Sequence, residues 1–168
     1  MSLHDYVDEV KCNNPKWTNN SRIVGRAGEI YCCKNMKCLT CNSTNWLECV
    51  TNEKSKDQTC QICQKNYQIK CKKITKTQHA TMMRNKMFKT IGAEYNTTLK
   101  SIEQHIDYII VLYDNTNYDI IDIIHINSSS ITSSNIIPRK PLSEKAVRKG
   151  WQGCKLQFSD FNSILSMF

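Results

Sequence analysis

The sequence predicts one α/β domain: strands in a covered sheet, helices beside it, and a cysteine-rich segment folded around a metal. Three observations carry this. The run YIIVLYDNTNYDIIDIIHI, Tyr108 to Ile126, reads as two β-branched strands about a turn at Asp114-Asn115-Thr116-Asn117. Runs this apolar lie in the middle of a sheet covered on both faces. HATMMRNKMFKTI, from His79, places Ala80, Met83 and Met87 at spacings of three and four, the period of a helix face. Eight of the ten cysteines fall between Cys32 and Cys71. With 168 residues the chain suits a single domain, residues 1–168, with a core of its own.

Taken in order, residues 1–31 are mostly polar and contain one helical stretch, RIVGRAGEIYCC, which its two glycines weaken. Residues 32–73 should be loops and short strands around a metal, and residues 77–104 should be helical. The two apolar strands follow. SSSITSSN then reads as a polar linker to PRKPLSEKAVRKGWQGCKL, where Pro138 and Pro141 frame a basic loop. Within that block Ser143 should cap a short helix, SEKAVRK. There is no internal repeat.

The chain carries 23 Lys and Arg against 15 Asp and Glu, a net charge of +8. Such a balance favours an acidic partner, with nucleic acid foremost, or serves solubility. Its distribution is sided: Gln64 to Gly92 holds eight basic residues and no acid, whereas Asp107 to Ile124 holds four aspartates and no lysine. The start, MSLHDYVDEV, lacks a basic region followed by an apolar one, so no signal peptide is expected. No apolar run reaches the length of a membrane span, and an intracellular protein without membrane contact is expected. In that setting cysteines read as thiols or metal ligands sooner than as disulfides.

Two C-x-x-C pairs, Cys38/Cys41 and Cys60/Cys63, are separated by eighteen residues. Each pair presents two thiolates to one ion, and together they complete the sulfur shell of structural zinc. A redox C-x-x-C would need a thioredoxin-like helix start, which is missing. Cys32, Cys33, Cys49 and Cys71 are left over, with Cys32-Cys33 able to replace one ligand. Cys12 and Cys154 read as small core residues.

Asp57 lies eleven residues before Gln68, in the alternating run Tyr67-Gln68-Ile69-Lys70. On a strand Gln68 and Lys70 share one face. An aspartate, an amide oxygen and an ammonium there suit Mg²⁺ with a water beside it, as metal-assisted phosphodiester hydrolysis requires. Lysines also populate solvated strand faces, so this spacing alone leaves both readings open.

Four blocks of the chain add a resemblance. They are GEIYCC followed by CLTC, then KDQTCQICQKNYQIKCKK, HATMMRN, and PRKPLSEKAVRKGWQGCKL, spanning about Arg22 to Leu156. In this order they resemble the PD-(D/E)XK nuclease superfamily and, more narrowly, its Dam-replacing family. The last block is the most specific.

The resemblance implies a restriction-endonuclease-like mixed sheet flanked by helices, with an inserted pair of zinc knuckles in about residues 32–63. It implies a Mg²⁺-dependent, restriction-like endonuclease acting on double-stranded DNA, with N6-methyladenine as a candidate recognition feature. Asp57 is then the first carboxylate on Mg²⁺, Gln68 takes the glutamate position, the backbone carbonyl of Ile69 is a further ligand, and Lys70 is the catalytic lysine. Zinc closes the hairpin between the strands bearing these residues.

Two features depart from the family pattern. Gln68 stands where the family usually has glutamate, which removes one negative charge. The chain ends at Phe168, so the winged-helix domain that follows in the family's restriction enzymes is not expected.

In the basic block, Arg139, Lys140, Lys145, Arg148 and Lys149 can contact phosphates and Trp151 can stack on a base or meet a methyl group. Without the resemblance, this block reads as a basic surface loop anchored by its tryptophan. Glu29 is a further acidic candidate near the metal, and His79 and His125 read as structural. Two other functions compete: an inactive zinc-containing DNA-binding module, and a zinc ribbon binding RNA or protein.

Overall fold

The computed structural model describes residues 1–48 and 56–168. Two helices come first, α1 (Leu3–Asn13) and α2 (Asn20–Asn35). Ser2 and Asp5 form a reciprocal capping box on α1, whose Leu3, Tyr6, Val7 and Val10 make one buried face. Asn19 caps α2 by accepting from the N–H groups of Ser21 and Arg22. Strands β1 (Trp46–Glu48), β2 (Gln58–Cys60) and β3 (Asn66–Lys73) follow. Then come α3 (Lys76–Asn85), β4 (Phe88–Glu94), α4 (Tyr95–Lys100), β5 (Asp107–Tyr113) and β6 (Ile120–Ile126). The chain closes with β7 (Ile136–Pro138), β8 (Gly153–Phe158) and β9 (Asn162–Ser163).

The main sheet is mixed, with strand order β1-β2-β3-β5-β6-β9. β3 and β5 run parallel, with Gln68 opposite Tyr108 and Lys70 opposite Ile110. The other neighbours are antiparallel. A second, antiparallel sheet has the order β4-β8-β7.

Each face of the main sheet has its own cover. On one face Val7, Val24 and Ala27 of the helices pack with Tyr67, Ile69, Ile109, Val111 and Ile123. On the other, Met82 of α3 and Phe88, Leu156 and Phe158 of the small sheet pack with Tyr108, Ile110, Leu112 and Ile124. Alternate residues of β5 thus feed opposite cores, which is why Tyr108–Tyr113 carries no charge and the strand is buried along its length. Gly28 lets α2 approach β3, because a Cβ there would collide with the sulfur of Cys71.

The structure bears out the mixed sheet, the helix at Arg22–Cys33 and the strand pair about Asp114–Asn117. It corrects four expectations. The helix beginning near Thr77 ends at Lys86 in a left-handed conformation, and Phe88–Glu94 is a strand where continued helix was expected. There the burial period becomes two: Phe88 faces the core while Lys89 and Ile91 face out. SEKAVRK forms turns, because it has no apolar face to bury and Val147 is fully exposed. Cys12 is exposed on α1, although Cys154 is buried as expected. The region before Arg22, read as largely polar, contains α1. Cys49 lies outside the described residues.

Candidate functional site

The cysteine pairs sit on two turns with matching backbone geometry. Asn42 N–H donates to Cys38 O, and Gln64 N–H donates to Cys60 O at 2.9 Å. Cys38 N–H reaches Ser43 O and Cys60 N–H reaches Lys65 O, again in parallel positions. The residue after each pair, Asn42 and Gln64, is left-handed, with φ of 58° and 60°. These turns bring the sulfurs of Cys38, Cys41, Cys60 and Cys63 within 4.8 Å of one another. Cys38–Cys63 and Cys41–Cys60 are each 3.5 Å apart. A tetrahedral zinc with bonds of about 2.3 Å needs sulfurs about 3.8 Å apart, so the four thiols can hold that ion. Cys32 and Cys33 are not part of the cluster.

The Tyr67 hydroxyl lies 3.5 Å from the Cys38 sulfur. Burial would raise the Cys38 pKa, but hydrogen bonds from Tyr67 and from the Cys41 and Thr40 backbones outweigh it and hold the thiol down to about 6. On the same hairpin Lys65 Nζ lies 2.7 Å from Asp107, which also meets His125 at 2.7 Å. His125 therefore ties β6 to β5, while His79 contacts Asp122 at 2.8 Å. Both histidines hold elements together, as read from the sequence.

Asp57 enters β2 at the edge of β3. Its N–H donates to Tyr67 O at 2.9 Å, and its Oδ2 accepts from Ile69 N–H at 2.7 Å. Its Oδ1 has no hydrogen bond among the described residues. Burial raises the Asp57 pKa, with the Ile69 N–H, Lys70 and Arg26 acting in the opposite direction. Lys70 is pulled below its ordinary pKa by burial, against the attraction of Asp57. Gln68 and Lys70 line one small pocket with Thr97, Thr98 and Tyr108, so they do share a face.

Glu29 joins this cluster from α2. Burial raises its pKa and nearby Asp57 raises it further, while Arg26, at 2.7 Å, opposes both. Gln58 Nε2 donates to Glu29 O at 3.3 Å, tying α2 to β2 one residue after Asp57. Gln58 Oε1 is buried without a hydrogen-bond partner among the described residues. Neither Arg26 nor Gln58 was singled out from the sequence. Arg26 was findable from its i,i+3 spacing to Glu29, whereas the Gln58 contact depends on how the helix packs.

The Arg139–Trp151 block connects β7 to β8. Arg139 N–H donates to Gly153 O, Leu142 N–H to Trp151 O and Gly150 N–H to Leu142 O, which closes the segment into a loop. Arg139, Lys140, Lys145, Arg148 and Lys149 are exposed on it. Lys149 is paired with Glu144. Trp151 is half-buried over Gly153, and the Arg148 guanidinium stacks 4.7 Å from its ring centre. No helix among the described residues is long and apolar enough to cross a membrane. The chain matches a family described as DpnI, Dam-replacing family, over residues 9–167, and the protein belongs to that family.

Proposed function

We propose that the protein is a Mg²⁺-dependent, restriction-like endonuclease of the PD-(D/E)XK type that hydrolyses double-stranded DNA, with N6-methyladenine among the features it recognises. The observation that carries this reading is the cluster at the β3 edge. Asp57 is pinned by Ile69 N–H, keeps one carboxylate oxygen without a hydrogen bond among the described residues, and interacts electrostatically with Lys70 and Glu29. Family membership supports it.

The donor set suits a hard cation: Asp57 offers an oxygen, and the Gln68 amide and Ile69 carbonyl add neutral oxygens. When bound there, Mg²⁺ supplies charge stabilisation at the scissile phosphate. Asp57 is the full negative charge among these ligands, so it dominates their attraction for the cation. Lys70, held in its pocket, orients the attacking water and donates a hydrogen bond beside it. Zinc on Cys38, Cys41, Cys60 and Cys63 closes the β2–β3 hairpin, setting Asp57 against Gln68 and Lys70. The Arg139–Trp151 loop contacts DNA, its cations on phosphates and Trp151 on a base or methyl group.

Gln68 favours a second reading. The missing carboxylate suits a zinc-containing DNA-binding module that has lost catalysis. Plasmid DNA with and without adenine methylation, incubated with and without Mg²⁺, separates the two. Cleavage that requires Mg²⁺ supports the nuclease. Binding without cleavage on either substrate supports the module.

A further inference from the structure

A cleft of 840 Å³ opens beside the end of β3, lined by Lys72, Lys73, Lys89 and Lys155, with no acidic residue among the described ones. A second groove of 430 Å³ shares Lys72, Lys73 and Lys89 with it and likewise has no acid among its described lining residues, so the two form one trough. One wall is the outer face of the small sheet. There Lys89 pairs with Gln157, and Lys155 sits between Ile91 and Ile137 across the three strands. The inward residues of the same strands, Leu156 and Ile136, are buried. The facing wall includes Asn20 and Ser21 at the start of α2.

The lysines differ in availability. Lys72 donates to Lys89 O and lies 4.9 Å from the Phe88 ring centre, so it is already engaged. Lys73, Lys89 and Lys155 are exposed and their ammonium groups have no carboxylate partner among the described residues. A trough in which exposed Lys155 lies between two exposed isoleucines, Ile91 at 64% and Ile137 at 40% exposure, with Lys89 two residues along from Ile91, suits a partner that alternates anionic and apolar surface. A sugar–phosphate backbone does so.

The trough also lies close to the candidate catalytic edge. Lys73 is three residues along β3 from Lys70, about 10 Å at strand spacing. Ile137 leads through Pro138 into Arg139, so the trough runs into the Arg139–Trp151 loop.

We propose that this trough holds the backbone of double-stranded DNA flanking the cleaved bond, making the outer face of the β4-β8-β7 sheet a second contact surface beside the loop. The proposal rests on reading the protein as a DNA-acting nuclease. It extends the footprint to residues that neither take part in cleavage nor belong to the loop.

The test is duplex DNA binding in Mg²⁺-free buffer across a salt series, comparing wild type, Lys89→Gln/Lys155→Gln and a control pair, Lys34→Gln/Lys37→Gln. Each lost phosphate contact should lower the slope of log affinity against log salt by about 0.9. The trough variant should therefore lose about 1.8 from its slope and bind more weakly, while the control keeps the wild-type slope. A trough variant matching wild type, or a control losing as much slope as the trough pair, overturns the proposal while leaving the nuclease reading intact. Wild type failing to bind duplex DNA at any salt overturns that underlying reading, and the trough with it.

Discussion

The cysteine hairpin and the Arg139–Trp151 loop both join neighbouring strands, yet they are held in opposite ways. The hairpin is cross-tied: its two turns repeat one hydrogen-bond pattern, its sulfurs converge, and Tyr67 and Lys65 bind it to the cluster and to Asp107. The loop is held chiefly by backbone bonds at its base, and its cations face solvent. In the proposed nuclease, metal ligands must be held to fractions of an ångström, whereas groups meeting DNA must adapt to it. The hairpin should therefore govern stability and catalysis, and the loop binding.

The sharpest way to break this contrast is Cys60→Ser. Structural zinc contributes folding free energy directly, on the order of 10 kcal/mol in small zinc peptides. The variant should lose zinc and much of its cooperative unfolding transition, as read by elemental analysis and calorimetry. A variant that keeps full metal content and the wild-type transition would show that the cluster is not the brace.

Asp107 tests the same region more gently. Burial alone would raise its pKa, but bonds from His125, Lys65 and Ser128 hold it at about 2, against the ordinary 3.8. A depressed carboxylate pKa contributes stability that is fully present above the unfolded value and is lost as pH falls through the folded one. Stability should therefore decline between about pH 4 and pH 2. Asp107→Asn should cost about 3 kcal/mol near neutrality by leaving Lys65 without its buried partner, and should flatten that acid limb. Equal acid sensitivity in both proteins would assign the decline to other carboxylates.

Changes to the exposed cations Arg139, Lys140 and Lys145 should leave stability within about 0.5 kcal/mol. Arg139→Glu/Arg148→Glu should weaken DNA binding and lower the salt slope by about two. Trp151→Ala should reduce discrimination between methylated and unmethylated DNA more than overall affinity. If both variants bind like wild type, the loop is only a surface.

The two regions also differed in how far sequence revealed them. Cysteine spacing reports ligand geometry directly, so the hairpin was legible before any strand was placed. Strands β5 and β6 were equally plain, because packing on both faces of the sheet leaves them dominated by β-branched apolar residues. The switch from α3 to β4 was not legible: Met83 and Met87 extend the helical period, and the strand exists because Phe88 and Thr90 pair with β8, more than sixty residues away. The Ser2/Asp5 cap of α1 was present in the sequence, but the polar composition around it hid the buried face. Ser143 looked like a cap, yet no apolar stripe followed it to make a helix worth packing. Asp57 and Lys70 were singled out as candidates by their spacing together with the family resemblance, since the spacing alone left a solvated strand face open. Their proximity to Glu29 depends on the packing of α2 against β3.

The most direct test of the central claim is plasmid cleavage, with and without adenine methylation, by wild type, Asp57→Ala, Lys70→Ala and Gln68→Glu at fixed Mg²⁺. Asp57→Ala and Lys70→Ala should each lose at least a hundredfold in rate while keeping zinc and DNA binding. Only Asp57→Ala should also lose Mg²⁺ affinity, and Gln68→Glu should raise that affinity while keeping or increasing the rate. Undiminished cleavage in both alanine variants would place the active site elsewhere. No cleavage by wild type on either plasmid would favour the binding module.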